Sequence, residues 1–171
     1  VSDYNGYLYN KDKVIEFLLN KKKKKETFKE LDMRIGSLND IVQLNIDLAS
    51  GVLRCPLSNT TVYINKDVEL KLTDIQFSYI VPCGCTMNTK VLNELTNDDD
   101  TSNLKCPVCS TSYERSNIID INPQDEKMKK RLQNRMDKLK ELKLYHNLKP
   151  RKTKKRKVID KEGQNKKVKS K

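Results

Sequence analysis

An α+β fold is predicted, made of small metal-stabilised ββα modules followed by a long basic helix and a disordered tail. Three observations predict it. Two cysteine pairs, Cys83-Gly-Cys85 and Cys106-Pro-Val-Cys109, are separated by 20 residues. The apolar runs around them are short and are broken by Asn, Asp, Gly and Pro, as in small strand-and-turn modules. From residue 124 onward the pattern changes to Lys- and Arg-rich sequence of helical period, and beyond Pro150 that period is lost.

Charge divides the chain in the same way. Residues 127–171 hold 20 Lys+Arg against 4 Asp+Glu, whereas residues 1–126 hold 15 against 19. A mildly acidic body thus carries an arm that supplies all of the net +12. Such an arm points to nucleic acid, an acidic partner or nuclear import; a solvated tail without a specific partner is the plain alternative. Only 36% of residues are hydrophobic and Trp is absent, which is thin for one compact domain of 171 residues. No apolar run approaches the roughly 20 residues needed to span a bilayer, so no membrane partner is expected. No signal-peptide core is visible, and five cysteines in such a lysine-rich chain point to a reducing compartment and to metal rather than disulfides. The opening "VSDYNGYLYN", beginning at Val1, reads like the middle of a domain, so a preceding segment is expected.

The elements follow in order. "GYLY" is strand-like. Asn10 then caps a helix with Val14, Ile15, Leu18 and Leu19 on one face, Phe17 beside it, and the lysine run 21–25 at its C-terminus. "ETFKELDMRI" is a polar connector. Ser37 caps a single turn, and "VQLNIDL" alternates as a strand with Val42, Leu44, Ile46 and Leu48 inward. "TTVYI" and "DIQFSYIVP" are strands, with "NKD" and "LTD" as turns. Asn88 or Thr89 caps a helix through Leu95, with Val91, Leu92 and Leu95 inward. "TNDDDTSN" is a polar loop, and "SNIIDINP" a last strand stopped by Pro123. A helix is expected over 124–148, with Asp125 and Glu126 in its first turn and Met128, Leu132, Met136, Leu139, Leu142 and Leu144 apolar.

The cysteines carry the chemistry. Zinc favours four thiolate or imidazole ligands in a tetrahedron, presented as close pairs. Two residues between Cys106 and Cys109 let one tight turn aim both sulfurs at a point. Gly84 permits the unusual backbone angle that the closer pair Cys83/Cys85 requires. The two pairs close one site of four thiolates. A catalytic zinc keeps an open position, usually beside a His or carboxylate. The only histidine, His146, falls in the basic helix, so one structural Zn2+ is expected.

Cys55-x-x-Ser58, then Cys-x-Cys, a helix and Cys-x-x-Cys resembles the layout of a RING finger, which interleaves two zinc sites. The second site matches Cys83, Cys85, Cys106 and Cys109. The first would use Cys55, Ser58 and the places held by Asn88 and Val91, which lack ligand chemistry. Hydrogen bonds and packing are expected there instead, as in U-box and single-zinc RING variants, with Cys55 a small buried residue.

The stretches "GYLYNKDKVIEFLL", "IGSLNDIVQLNIDL", "CPLS", "PCGCTMNTKVLNEL" and "CPVCSTSYERSNIIDINP", followed by the basic helix, resemble the replication termination factor 2 family in order and cover most of residues 1–147. The resemblance implies a further segment before Val1, so that the first U-box-like element is expected to be truncated here. The resemblance implies residues 1–35 as the end of a U-box-like first half plus a charged linker. It implies 36–123 as a RING-like domain with one four-cysteine zinc site, 124–148 as the basic helix and 149–171 as a disordered basic tail. It also implies a nucleus-localised protein acting at stalled or terminating replication forks, with links to pre-mRNA splicing and with replication-fork or spliceosomal proteins as partners.

Three function classes are weighed. In the first, the RING-like core docks partner proteins while the basic helix and tail contact nucleic acid or acidic surfaces. In the second, the chain is a ubiquitin or SUMO E3 ligase, and Leu57, Leu95 and Pro107 contact an E2 enzyme; core packing and a tight turn explain the same residues equally well. Ser110 after Cys109, where many active RINGs carry Arg or Lys, speaks against a ligase. Fold alone does not decide between these two. The third is nucleic-acid contact by the tail. Lys149, Arg151, Lys152, Lys154, Lys155, Arg156 and Lys157 have the density of a nuclear localisation signal. Without interleaved aromatics, any nucleic-acid contact is non-specific and salt-dependent.

Overall fold

The structure, a computed structural model, describes residues 1–22, 35–46, 52–63, 75–96 and 104–151. It is a mixed helix-and-sheet chain, with three helices and small antiparallel sheets among the described residues. Helix α1 spans Lys11–Lys22, α2 Thr89–Leu95 and α3 Glu126–Glu141. The strands are β1 Val52–Arg54, β2 Thr61–Tyr63, β3 Phe77–Ile80, β4 Thr86–Asn88, β5 Leu104–Lys105, β6 Ser112–Tyr113 and β7 Ile118–Asp120. β1 pairs with β2, β5 with β6, and β3 lies between β4 and β7.

β3 is the centre because "FSYI" is apolar and aromatic enough to be buried throughout, with its polar Ser78 satisfied by Asp120 Oδ1 and Thr89 Oγ1, both at 2.7 Å. It serves two cores. Phe77 and Ile80 pack with Leu53, Cys55, Cys85, Met87, Leu92 and Cys106. Tyr79 and Val81 pack with Val42, Leu44, Ile119 and Leu132 of α3. Each large apolar side chain fully buried this way contributes roughly 1.5–3 kcal/mol.

The caps at Asn10, Ser37 and Asn88 follow the sequence expectation, whereas Asp125, expected in the first turn, is itself a cap. Asn10 Oδ1 accepts from the N–H groups of Asp12 and Lys13, and Ser37 forms a capping box with Asp40 around a single turn, Leu38–Asp40. Asn88 caps α2 through the Lys90 N–H, and Asp125 caps α3 through that of Lys127.

Several expectations are corrected. "GYLY" is not a strand; Ser2 makes single bridges to Leu8 and Val42 around a turn. Leu19 is exposed, because α1 buries only Val14 fully. Over its described residues, 42–46, "VQLNIDL" forms no ladder: Val42 and Leu44 are buried, but the segment makes only isolated bridges, to Ser2 and Cys85. β1, β4, β5 and β6 were not anticipated; at two or three residues they are too short to show period. In α2 only Leu92 of the three predicted core positions is buried; Val91 is half-buried and Leu95 exposed.

The largest correction is the end of α3. The helix stops at Glu141, not 148, and Leu142 is 68% exposed. Lys143 takes φ 56°, so that its N–H reaches Lys140 O and that of Leu144 reaches Leu139 O at 2.7 Å. This is a Schellman closure, in which glycine is the usual residue. The chain then doubles back, and Leu144 bridges Pro150. His146 is therefore in a turn, not in a helix. The turns "NKD" and "LTD", Leu48, the connector up to residue 34, residues 23–25, 97–103 and 152–171 lie outside the described residues.

Candidate metal centre

Two hairpins of the same build flank the central sheet. In the second, β5 and β6 lead into "CPVCST": Cys106 N–H donates to Thr111 O (2.9 Å), Ser110 N–H to Cys106 O (2.8 Å), and Ser110 has φ 59°. In the first, β1 and β2 lead into "CPLSNT": Cys55 N–H donates to Thr60 O (2.8 Å), Asn59 N–H to Cys55 O (3.1 Å), and Asn59 has φ 54°.

The turn between β3 and β4 faces the second hairpin. Gly84 N–H closes it on Ile80 O at 2.7 Å, with φ +73° at Gly84. A Cβ there would stand 1.9 Å from Gln43 O, so glycine is required twice over, by conformation and by close approach. The same approach lets Asn45 N–H bond Gly84 O at 2.9 Å.

These elements bring the Sγ atoms of Cys83, Cys85, Cys106 and Cys109 within 4.8 Å of one another. A tetrahedral ion with metal–sulfur bonds near 2.3 Å needs sulfurs about 3.8 Å apart, so a small contraction closes the shell. Cys85 and Cys106 are buried, Cys83 half-buried and Cys109 exposed. Burial, with crowding by neighbouring thiolates, pushes Cys83 upward and Cys85 up to about 11, although the Asn45 amide works against this at Cys85. The hydroxyl and N–H of Thr111 pull Cys109 down to about 6. Asn45 Nδ2 also points at Cys85 Sγ (3.7 Å) and at Cys83 O (3.3 Å). Four crowded sulfurs with oriented N–H and O–H donors can hold a metal ion, and they suit a thiophilic one.

The first hairpin holds no such cluster. Cys55 is fully buried and its Sγ accepts the Asn88 N–H at 3.3 Å. Burial alone would raise this thiol; N–H groups of Asn88, Ser58 and Leu57 and the Ser58 hydroxyl outweigh it and lower the pKa. Ser58 Oγ bonds Thr60 Oγ1 at 2.7 Å. The place where spacing would put a third ligand, Asn88, thus contributes a backbone donor, and Val91 packs half-buried.

Around this frame Leu57 (38%) and Leu95 (56%) are exposed, as is Pro107. Val108 (46%) is exposed beside Pro107 and was not singled out; its position between the two ligands of one turn was the available signal. Of the basic run, Lys149 is exposed. Arg151 is engaged with the fold: its guanidinium lies 4.9 Å over the Tyr145 ring and its Nε donates to Leu144 O. Lys152, Lys154, Lys155, Arg156 and Lys157 lie outside the described residues.

Sequence reasoning missed a buried polar chain. Arg135 donates through Nη1 to His146 Nδ1 (3.0 Å) and through Nε and Nη2 to Asn117 Oδ1. Tyr79 OH donates to Asp3 O (3.0 Å) and meets His146 Nε2 at 3.0 Å. These roles assign the neutral Nε2–H tautomer. Burial, then the Arg135 charge, holds His146 well below its usual range. The only histidine is thus spent on tying four segments together.

The chain matches a family model described as Rtf2 RING-finger over residues 1–171. It is 30% identical to "Splicing factor rtf2" of Schizosaccharomyces pombe over 127 residues, covering 72% of this chain and 45% of that protein. It is 30% identical to "Replication termination factor 2" of Dictyostelium discoideum over 151 residues (74% and 51%). It is 28% identical to "Replication termination factor 2" of Gallus gallus over 153 residues (76% and 44%). The chain spans about half the length of the relatives it matches.

Proposed function

This chain belongs to the Rtf2 RING-finger family, and from that premise we propose that it is a nuclear protein-docking factor acting at stalled or terminating replication forks. The observation that carries the reading is the compact four-sulfur cluster in a chain of that family. One Zn2+ held by Cys83, Cys85, Cys106 and Cys109 would tie the second hairpin to the turn after β3 and would leave no open position for chemistry. In this reading the second hairpin is the metal half of a RING-like fold. The first is the metal-free half of the same RING-like fold, where hydrogen bonds of Asn88 and Ser58 stand in place of an ion. Leu57, Leu95 and Pro107 then present an apolar docking face, and the basic run from Lys149 serves import.

Two relatives carry names of replication termination and one a splicing name, so a role in pre-mRNA splicing is the second reading. The experiment is recovery of partners with the full-length protein from nuclei. Replication-fork proteins lost on Leu57→Ala/Leu95→Ala support the proposal, and spliceosomal proteins alone would replace it. The exposed Leu57, Leu95 and Pro107 also keep the E3 ligase reading alive. An autoubiquitination and SUMO-transfer assay over a broad E2 panel decides it, with no transfer ending that reading.

A further inference from the structure

A groove of about 650 Å³ runs along α3, bounded by the approach to β7 and by the segment that returns after the helix. Its floor is aliphatic: Leu139, Leu142, Leu144 and Leu148. Lys127, Lys130 and Lys138 line the same groove, and none pairs with a carboxylate among the described residues. The neighbouring arginines are committed elsewhere, Arg131 to Asp120 at 2.8 Å and Arg135 to Asn117 and His146. Glu114 is the one carboxylate in the lining.

We propose that this groove docks an acidic peptide segment of a partner protein, with apolar anchor residues set among Asp or Glu. Charge complementarity argues for it: three ammonium groups with no carboxylate partner among the described residues stand over an apolar floor. The floor would take the anchors, and the lysines the carboxylates. A nucleic acid fits less well, since among the described residues no aromatic side chain lines the groove for base stacking. A second copy fits less well too, because a two-fold contact would set lysine against lysine. The walls are preformed by the Arg131–Asp120 pair, the His146 contacts and the Schellman closure of α3, so binding need not order them. The volume lies in the range of binding pockets, about 300–1,000 Å³, enough for a few side chains rather than a domain. None of the groove residues belongs to the metal loops, so the site stands apart from the docking face proposed above.

The test is selection of displayed random short peptides on the full chain. Enriched peptides combining Asp or Glu with Leu, Ile or Phe are expected. Leu142→Ser should weaken their binding about tenfold, and Lys130→Glu/Lys138→Glu by about tenfold or more. Both variants change exposed side chains, so metal content and melting temperature should stay at wild-type values. Failure to enrich any peptide, enrichment of peptides without acidic residues, or binding that survives both variants overturns the proposal. So does equal competition by a thymidine oligonucleotide with loss on the charge variant alone, which would make this a nucleic-acid face.

Discussion

Ser58 and Cys109 stand at the same step of two hairpin loops with the same backbone hydrogen bonds, and each meets the hydroxyl of the threonine two residues on, Thr60 at 2.7 Å and Thr111 at 3.2 Å. The backbone is therefore indifferent to the presence of sulfur at that step. What differs is the company: Cys109 faces three more sulfurs, whereas beside Ser58 the one sulfur, Cys55, is already bonded to the Asn88 N–H.

The protein should carry one zinc per chain by elemental analysis. Cys85→Ser should abolish it and unfold the second hairpin, because structural zinc contributes on the order of 10–16 kcal/mol to folding. Two zincs per chain would contradict the assignment of the first hairpin as metal-free.

Ser58→Cys should leave the stoichiometry at one, since neither Asn88 nor Val91 offers a ligand atom of the needed kind. Cys55→Ala should also keep its zinc but lose about 1–3 kcal/mol in denaturant unfolding, from the cavity and the orphaned Asn88 N–H. A Cys55→Ala protein without metal would show that Cys55 is a ligand after all.

Gly84→Ala should cost at least about 2 kcal/mol and lower zinc retention together, from the left-handed φ and the collision with Gln43 O. Unchanged metal retention against a competing chelator would break the link drawn between this turn and the cluster.

His146 makes stability depend on pH. In the unfolded chain it titrates near 6.5, while in the fold burial and Arg135 hold it well below that. Below about pH 6.5 the unfolded chain thus takes up a proton that the folded one refuses. Its contribution is complete above that pH and falls by roughly 1.4 kcal/mol per unit beneath it. The difference between wild type and His146→Gln in chemical denaturation should shrink with this slope as pH falls. The metal contribution is common to both proteins and cancels. Parallel curves would show that His146 protonates freely in the fold.

Replacing Lys154, Lys155, Arg156 and Lys157 by Ala in a fluorescent fusion should abolish nuclear accumulation without altering zinc content. Retained accumulation would place the import signal elsewhere.

Features whose signals are local were legible in the sequence. The two cysteine pairs could be read because their residue spacing is itself the geometry of a metal turn. Asn10, Ser37 and Asn88 (with Thr89 as its alternative) could be read as caps because a cap bonds only two or three residues ahead; Asp125 was expected one step inside the first turn and is the cap itself. Gly84 was flagged as a conformational need, although not the contact with Gln43. The end of α3 was not legible, because Lys143 adopts a left-handed angle that its side chain does not advertise.

By itself, then, the sequence determined which sulfurs belong together, where the helices begin and where the charge lies. Only the tertiary structure decided that Asn88 bonds Cys55, that Leu142 lies bare on a basic groove and that His146 joins Tyr79 and Arg135. Those outcomes depend on contacts between distant segments, such as Tyr79 and His146, 67 residues apart. Such contacts follow from how β3, the two hairpins and α3 bury their apolar faces, and no local pattern of residues encodes them.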